Sequence, residues 1–209
     1  MPVGEKKVGL PELFYDLVFV YALSRTTELV HHADEADYAT FLISLVILFT
    51  VWLYQSIYIN RFGDNSWRDR LFLFADMFLL LFLSNAVGSD WLANFVPFNL
   101  ALGLLVGSVC LQYLLQLARH ASPEQRRRIK LVAGLRGLTA ATVLGSLLFP
   151  AHIGQWVALG GFGLGWILPA FVRDKQPAVN FPHLLERLNG LVIIFFGETV
   201  IDIAPYFHV

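Results

Sequence analysis

LANFVPFNLALGLLVGSVCLQYLLQL, residues 92–117, is a stretch of the chain without a single Asp, Glu, Lys or Arg. A bilayer-spanning helix needs about 20 predominantly apolar residues, so this stretch predicts a transmembrane helix. Further apolar segments flank it at residues 10–30, 38–59, 71–87, 129–148, 153–172 and 184–203. None of them shows the alternating pattern of a membrane barrel. We therefore predict an all-α, polytopic transmembrane bundle of about seven helices, formed as a single domain over residues 1–209.

The composition also favours a membrane protein. Of the 209 residues, 56% are hydrophobic and 15% are charged, whereas charged residues make up about 25% of soluble domains. A net charge of −1 gives no reason to expect nucleic acid as a partner, and membrane lipids are the expected surroundings. The single cysteine, Cys110, excludes an intrachain disulfide. The first apolar segment lacks a cleavage site, so it is expected to be retained rather than removed as a signal peptide.

Basic residues occur in alternate connections. Lys6 and Lys7 precede the first segment, and the second, fourth and sixth connections carry Arg or Lys at residues 61, 68, 70, 119, 126–128, 130, 173 and 175. Residues 31–37, 88–91 and 149–152 carry none. Because cytoplasmic loops are enriched in Lys and Arg, the N-terminus is predicted to be cytoplasmic. This orientation excludes a G-protein-coupled receptor, and a seventh segment without lysine excludes a retinal protein.

Charged side chains within the apolar segments define a candidate intramembrane polar site. A charge at the bilayer centre costs about 2.5 to 3.5 kcal/mol, so such residues usually face the bundle interior and mark a pathway or a partner. The candidates are Glu12, Asp16, Asp76, His183, Glu186, Arg187 and Glu198. Arg187 is the expected counter-charge of Glu12 or Asp16. Glu198 lies deeper without an obvious cationic partner, so it is expected to exchange a proton.

Some charged residues have a purely structural explanation. Arg25 and Glu28 are expected to form a pair at a helix end, and snorkelling at the interface accounts equally well for Glu186 and Arg187. The basic run at 126–130 follows from orientation alone.

Two other patterns are weaker. The glycines Gly103, Gly107 and those within 161–165 indicate close helix packing rather than a nucleotide-binding turn. The loop HHADEAD at 31–37 contains ligand types for a divalent metal, yet short polar loops are usually only solvated. We predict no metal site, no other cofactor and no catalytic residue.

Three motifs occur in a defined order: PELFYDLVFV at 11–20, NRFGD at 60–64 and HLLERLNGLVIIFFGE at 183–198. With these motifs the chain resembles the bacterial low temperature requirement A (LtrA) family. Tyr15, where the family usually has phenylalanine, and an additional Asn189 depart from its pattern. The resemblance implies a multi-pass protein of the bacterial cytoplasmic (inner) membrane and draws attention to the charged residues of the first and third motifs: Glu12, Asp16, His183, Glu186, Arg187 and Glu198.

Members of this family are about twice as long as the chain, so we expect a fragment, a short form, or a half that pairs with a second copy or another subunit. Residues 12–21 also align without gaps to residues 186–195, and Pro11 and Pro182 stand just ahead of these stretches. This similarity predicts a second, parallel repeat that starts within residues 182–209. Chance similarity between apolar helices is the alternative.

Three functions fit the pattern. The first is a transporter or channel-like protein for a small solute or ion, with proton coupling through the intramembrane carboxylates. The second is an intramembrane enzyme acting on a lipid or isoprenoid, with Glu198 or Asp16 as acid or base and His183 nearby. The third is a lipid-binding or sensory module. An enzyme is the less expected outcome, and the sequence indicates no substrate class.

Overall fold

A computed structural model describes residues 8–30, 35–119, 122–171, 179–204 and 207. Within these ranges the chain forms seven α-helices and no strand: α1 (Leu10–Thr27), α2 (Glu35–Phe62), α3 (Trp67–Asn85), α4 (Phe95–Gln116), α5 (Pro123–Gly145), α6 (Ala151–Phe171) and α7 (Phe181–Ile203). Short 3-10 turns extend α1 over Glu28–Val30 and α5 over Ser146–Leu148. The predicted all-α helical bundle is confirmed. Several residues of the sequence argument lie outside the described ranges: Lys6, Lys7, His31, His32, Asp34, Arg173 and Lys175.

Three helical stretches of the described chain are long and apolar enough to cross a membrane. They are Asp37–Phe62, Phe95–Gln116 and Pro123–Leu148, with 26, 22 and 26 residues. Each exceeds the roughly 20 residues that the hydrocarbon core requires. The helices α1 and α7 carry most of the candidate-site residues.

Consecutive helices run in opposite directions. Gly103 and Gly107 of α4 face Leu144 and Ala140 of α5, so these two helices are antiparallel. Asp16 of α1 contacts Trp52 of α2, and Phe19 contacts Phe49, which makes this pair antiparallel as well. The odd-numbered helices therefore begin at one end of the bundle, which we call the near face. The helices α1 and α7 also pack against each other, and they are parallel because Glu12 and Asp16 of α1 lie beside His183 and Arg187 of α7 in the same order.

Glycine allows two of these helix pairs to approach closely. A Cβ atom at Gly103 would lie 2.5 Å from the Leu144 side chain of α5, and one at Gly161 of α6 would collide with Thr142. Real Cβ atoms do not come this close, so a larger residue would push the helices apart. This confirms close packing at both positions, whereas Gly163 faces open space.

Burial follows the polarity expected in lipid. The side chains of Asp16 and Arg187 are 0% exposed and that of Asp76 is 1% exposed, while Phe78 and Ile193 are each 71% exposed. In water, charged groups are almost never fully buried unless paired, and large apolar groups avoid the surface. A lipid environment reverses both preferences, because an apolar outer surface meets hydrocarbon and polar groups turn inward.

Candidate functional site

Asp16 and Arg187 form a buried, hydrogen-bonded ion pair between α1 and α7. Arg187 Nε donates to Asp16 Oδ1 at 3.1 Å and to Oδ2 at 3.0 Å, and Arg187 Nη2 donates to Oδ1 at 2.9 Å. Trp52 Nε1 of α2 donates to the same Oδ1 at 2.7 Å. Charge-assisted, two-pronged arginine–carboxylate contacts are among the stronger hydrogen bonds in proteins. The predicted pairing of Arg187 with this acidic cluster is confirmed.

Aromatic rings surround the Arg187 guanidinium. Its central carbon lies 5.7 Å from the ring centroid of Tyr15 and 5.5 Å from that of Trp52. These distances fall within the range of about 6 Å over which a ring face attracts a cation. We call Asp16, Arg187 and Trp52 the Asp16 level. Ionic, hydrogen-bond and aromatic contacts together hold its side chains in place.

Local sequence sets the register of this interface. Glu12 and Asp16 are four residues apart on α1, and His183 and Arg187 are four apart on α7, so each pair shares one helix face. Asn180 caps the start of α7 by accepting a hydrogen bond from the His183 backbone N–H at 3.4 Å. Because the helices are parallel, Glu12 lies beside His183, and Asp16 lies beside Arg187 one helical turn farther along.

Glu12 is held less tightly than Asp16. Its Oε2 lies 3.3 Å from His183 Nε2 and 3.8 Å from Arg187 Nη1. Although Glu12 is only 7% exposed, this oxygen makes no hydrogen bond to any described residue. A buried carboxylate oxygen without a hydrogen bond is costly.

Asn60 orients the His183 ring. Its amide pairs with the Asn180 backbone: Nδ2 donates to the carbonyl at 2.9 Å, and Oδ1 accepts from the N–H at 2.8 Å. The amide orientation is thereby fixed, so the Nδ2 group 3.1 Å from His183 Nδ1 is a donor. Nδ1 is then the acceptor, and in a neutral ring the proton sits on Nε2, the nitrogen that faces Glu12. We call Glu12, His183 and Asn60 the Glu12 level.

A small cavity joins the Glu12 level to the near face. It measures about 10 Å³ and is lined by Glu12 together with Asn65 from the connection between α2 and α3 and with Asp69 and Arg70 from the first turn of α3. Glu12 Oε1 and Asn65 Nδ2 lie 3.7 and 3.6 Å from the position that a Cβ atom at Gly9 would occupy. A cavity of about 10–15 Å³ has room for one water molecule.

The same connection brings two aspartates together. Asp69 Oδ2 accepts a hydrogen bond from the Asp64 backbone N–H at 2.9 Å, and Asp64 binds Arg119 at 2.8 Å. Asp69 precedes the apolar part of α3, and burial, followed by its hydrogen bond with the Asp64 carboxylate, raises its pKa. Hydrogen bonds from Ser66 and Asp69, with Arg119 contributing less, hold the pKa of Asp64 well below its usual range. A proton in this pair therefore belongs to Asp69.

Asp76 belongs to a separate polar cluster among α2, α3 and α4. Gln112 Nε2 donates to Asp76 Oδ2 at 3.2 Å, and the amides of Gln55 and Gln112 bind each other at 3.1 and 3.2 Å. Asp76 Oδ1 is buried without a hydrogen bond to a described residue. No described cation pairs with Asp76, so this cluster differs in kind from the α1–α7 interface.

The remaining candidates lie apart from the interface. Glu186 is exposed on α7. Glu198 is half-buried and lies about 16 Å farther along α7 than Arg187. Neither makes a hydrogen bond or an ion pair with a described residue. Arg25 and Glu28 form the expected pair at the end of α1, at 2.5 Å. Thus the structure joins four of the seven candidates, Glu12, Asp16, His183 and Arg187, and separates Asp76, Glu186 and Glu198 from them.

Sequence reasoning missed several polar partners within the helices. Trp52, Asn60, Gln55 and Gln112 are each at most 6% exposed. Trp52, Asn60 and Gln112 bind Asp16, His183 and Asp76 respectively, and Gln55 binds Gln112. A polar side chain inside an apolar helix is itself a signal, because it needs a partner there. Arg136, in the middle of α5, is a charged residue that the sequence argument left out. It stacks on Tyr54, with its central carbon 3.2 Å from the ring centroid.

Within the part of the chain that the structure describes, no group of three or more His, Cys, Asp or Glu residues is placed to hold a metal ion. The side chains that do cluster, in the Asp16 level, are an arginine, an aspartate and a tryptophan. Such a set binds and orients charge but offers few metal ligands.

Comparison with known proteins identifies the family of the chain. The chain is 24% identical over 220 residues to an uncharacterized protein of Rhizobium meliloti (strain 1021), a match that covers 97% of the chain and 52% of that protein. The chain thus spans about half the length of this curated relative. No solved structure shows significant similarity to it. The family model of the bacterial low temperature requirement A protein (LtrA) matches residues 7–208, and the chain belongs to this family.

Proposed function

We propose that the chain is part of a proton-coupled membrane transporter for a small solute or ion, and that Glu12 is the carboxylate that exchanges the proton. The observation that carries this proposal is the contrast between neighbouring buried carboxylates. Asp16 is saturated by hydrogen bonds, whereas the polar neighbours of Glu12 Oε2 among the described residues are a ring nitrogen at 3.3 Å and a guanidinium nitrogen at 3.8 Å. A group that releases and regains a proton needs loose contacts of this kind.

A multi-pass arrangement in the bacterial cytoplasmic membrane is part of the proposal. The alternating directions of the helices support seven crossings that begin at the near face. The described basic residues of the connections, Arg61, Arg68, Arg70, Arg119 and residues 126–128, occur at helix ends on that same face. By the positive-inside rule the near face is then cytoplasmic.

Charge balance explains why Glu12 and His183 can share a proton. Asp16 and Arg187 neutralise each other at 2.9 Å. The charge of the site therefore depends on Glu12 and His183. Moving one proton between these two groups leaves the net charge of the buried site unchanged, which avoids the large cost of an uncompensated charge. Adding a proton from water changes the net charge by one, and this is the step that a counter-moving ion or solute would offset.

Flux measurements test the proposal. Purified protein is reconstituted in liposomes that contain a pH-sensitive dye, and a panel of inorganic ions, organic acids and amino acids is added outside. We expect one class of solute to drive proton movement above the level of protein-free vesicles, and Glu12→Gln to abolish it. Glu28→Gln, which alters an exposed pair at the other end of α1, is the matched control. The proposal fails if no solute moves protons, or if Glu12→Gln retains full flux.

The sequence predicts Glu198 as the group that exchanges the proton, and the same flux assay distinguishes this prediction from the proposal for Glu12. Glu198 has no described contact with the site, so we expect Glu198→Gln to keep proton flux near the level of the unaltered protein. Loss of flux in Glu198→Gln with full flux in Glu12→Gln would return the role to Glu198.

An apolar groove supports a second candidate, action on a lipid. The groove has a volume of about 580 Å³ and runs between α1, α3 and α7, lined by Leu10, Leu13, Phe14, Leu17, Phe74 and Ile194. Its size and polarity suit an acyl or isoprenoid chain. Glu12 does not line it, however, and an acid or base must lie within hydrogen-bond reach of its substrate. Conversion of a lipid extract by the purified protein would favour the enzyme over the transporter.

A further inference from the structure

The connection between α2 and α3 is the part of the near face that reaches Glu12. Asn65 adopts a left-handed φ of 58°, and its Oδ1 accepts a hydrogen bond from Arg70 Nε at 3.3 Å. Ser66 then caps α3 by accepting from the Asp69 backbone N–H at 3.4 Å. This turn tucks Asp69 inward, so that it is only 6% exposed although it lies beside the surface.

Asp69 and Glu12 line the same cavity. With a volume of about 10 Å³, it holds at most one water molecule. One water molecule in a space of this size has room to hydrogen-bond to groups on either side of it. The two oxygens of Glu12 also face different ways: Oε1 lies toward Gly9 and Asn65, and Oε2 lies toward His183 and Arg187. Glu12 therefore connects the cavity to the ion pairs of the site.

We propose that Asp69 takes up protons at the near face and passes them to Glu12 through one water molecule in this cavity. This inference rests on the proposed function of Glu12. In the transfer, the O–H bond of the Asp69 carboxylic acid breaks as the water accepts its proton, and the water gives one of its own protons to the Glu12 carboxylate. Asp69 is then a carboxylate and regains a proton from the aqueous phase. No other reactant is consumed.

The surroundings of Asp69 suit a proton donor. Burial and the hydrogen bond with Asp64 raise its pKa, so the group holds a proton at a higher pH than an ordinary aspartate. Arg70, the nearest cation of the cavity, donates to Asn65. Among the described residues, the charged and titratable groups around Asp69 and Glu12 are Asp64 in the connection, Arg68 and Arg70 at the start of α3, Arg119 on Asp64, Tyr58 from α2, Asp16 on α1, and His183 and Arg187 from α7.

A pH-jump experiment on the full chain in detergent tests this route. Infrared spectroscopy follows the carbonyl band of the protonated Glu12 carboxyl, identified by its loss in Glu12→Gln. We expect Asp69→Asn to slow the appearance of this band about tenfold or more while its final amplitude is kept. Asparagine still accepts the Asp64 N–H bond, so the connection should fold. Asp69→Glu, and formate added to Asp69→Asn, should restore the rate because each supplies a titratable carboxyl group.

The outcomes separate this inference from the proposed function. An unchanged rate in Asp69→Asn, with the Glu12 band present, overturns the route and leaves the role of Glu12 standing. A slowed rate that neither formate nor Asp69→Glu restores shows a structural effect and also overturns it. Absence of any pH-dependent Glu12 band in the unaltered protein overturns both. Glu28→Gln serves as the control that should alter neither the rate nor the amplitude.

Discussion

The Asp16 level and the Glu12 level are one helical turn apart on the same two helices, yet they treat a buried carboxylate differently. Asp16 receives three hydrogen bonds from Arg187 and one from Trp52, all between 2.7 and 3.1 Å. The Oε2 atom of Glu12 has two charged or titratable neighbours at 3.3 and 3.8 Å, and the side chain borders a cavity. The first arrangement fixes a charge, whereas the second leaves Glu12 Oε2 without a hydrogen bond to any described residue.

This difference indicates that the Asp16 level and the Glu12 level have different roles in the interface. Buried ion pairs seldom add stability over apolar packing, but removing one partner is strongly destabilising. The Asp16 level thus holds α1 and α7 in register, and it can do so only while both charges are present. Under the proposed function, the Glu12 level changes its protonation while the Asp16 level keeps the interface together.

The largest expected effect comes from breaking the Asp16 level. Arg187→Ala leaves the Asp16 carboxylate fully buried without its cation, and we expect the free energy of unfolding to fall by about 3–5 kcal/mol. Thermal unfolding in detergent, followed by circular dichroism, measures the decrease. Arg25→Ala is the control, since Arg25 sits in an exposed pair with Glu28 and should cost below about 1 kcal/mol. Equal decreases in the two variants would contradict the contrast between buried and exposed pairs.

A smaller effect is expected from removing one donor of the same level. Trp52→Phe keeps a ring against Phe19, whose centroid lies 5.8 Å away, but deletes the hydrogen bond to Asp16. Hydrogen bonds to charged groups contribute about 1.5–3 kcal/mol, so we expect a destabilisation near the middle of that range. The same unfolding assay checks it. Trp156→Phe, at an exposed position on α6, is the matched control. An equally large destabilisation in Trp156→Phe would show that the indole–carboxylate bond is not the cause.

Sequence reasoning predicted the helices well because apolar length is a one-dimensional property. Each predicted segment overlaps one α-helix, and the bounds differ by a few residues at polar ends, such as Trp67–Asn85 against the predicted 71–87. The Arg187 counter-charge was also within reach. Parallel neighbours that each carry charges four residues apart can be paired from spacing alone.

The rest of the site depends on tertiary contacts that spacing does not encode. Asn60 binds Asn180 and His183 across 120 residues or more, and Asp69 lines the same cavity as Glu12 because the turn at Asn65 folds inward. The sequence predicts that Glu198 exchanges the proton, because Glu198 lies deep in α7. Depth along a helix does not reveal which neighbours face a residue, and in the structure the unsaturated carboxylate facing titratable and charged groups is Glu12.

A third test addresses the Glu12 level directly. Glu12→Gln keeps the size of the side chain and removes its charge. Because Glu12 Oε2 interacts with His183 and Arg187 only over long distances, we expect the free energy of unfolding to fall by only about 1 kcal/mol. Measured at the same pH as Arg187→Ala, this value separates the two levels. A decrease as large as that of Arg187→Ala would show that both carboxylates are equally fixed, which would remove the structural basis for proton exchange at Glu12.

The smallest expected effect concerns Asp64, in the connection between α2 and α3. Its carboxylate is close to half exposed and is bound by Arg119. Asp64 binds Arg119 at 2.8 Å with both side chains close to half exposed, and Arg119→Ala should lower the free energy of unfolding by less than about 1 kcal/mol. Arg126→Ala, which removes an exposed arginine of α5, is the control for a simple loss of positive charge.

The pKa of Asp64 determines how this decrease in the free energy of unfolding depends on pH. Hydrogen bonds from Ser66 and Asp69, with Arg119, hold the pKa of Asp64 well below its usual range, and the ordinary value for aspartate is about 3.9. A carboxylate with a lowered pKa contributes its full stabilisation above the unfolded-state pKa and loses it as the pH falls through the folded-state value. Unfolding temperatures of Arg119→Ala and the unaltered protein should therefore differ equally at about pH 7 and about pH 5, and converge only in stronger acid. If the difference is already about half lost at about pH 4, the Asp64 carboxylate titrates like an exposed aspartate, and the shared proton of this connection cannot be assigned to Asp69.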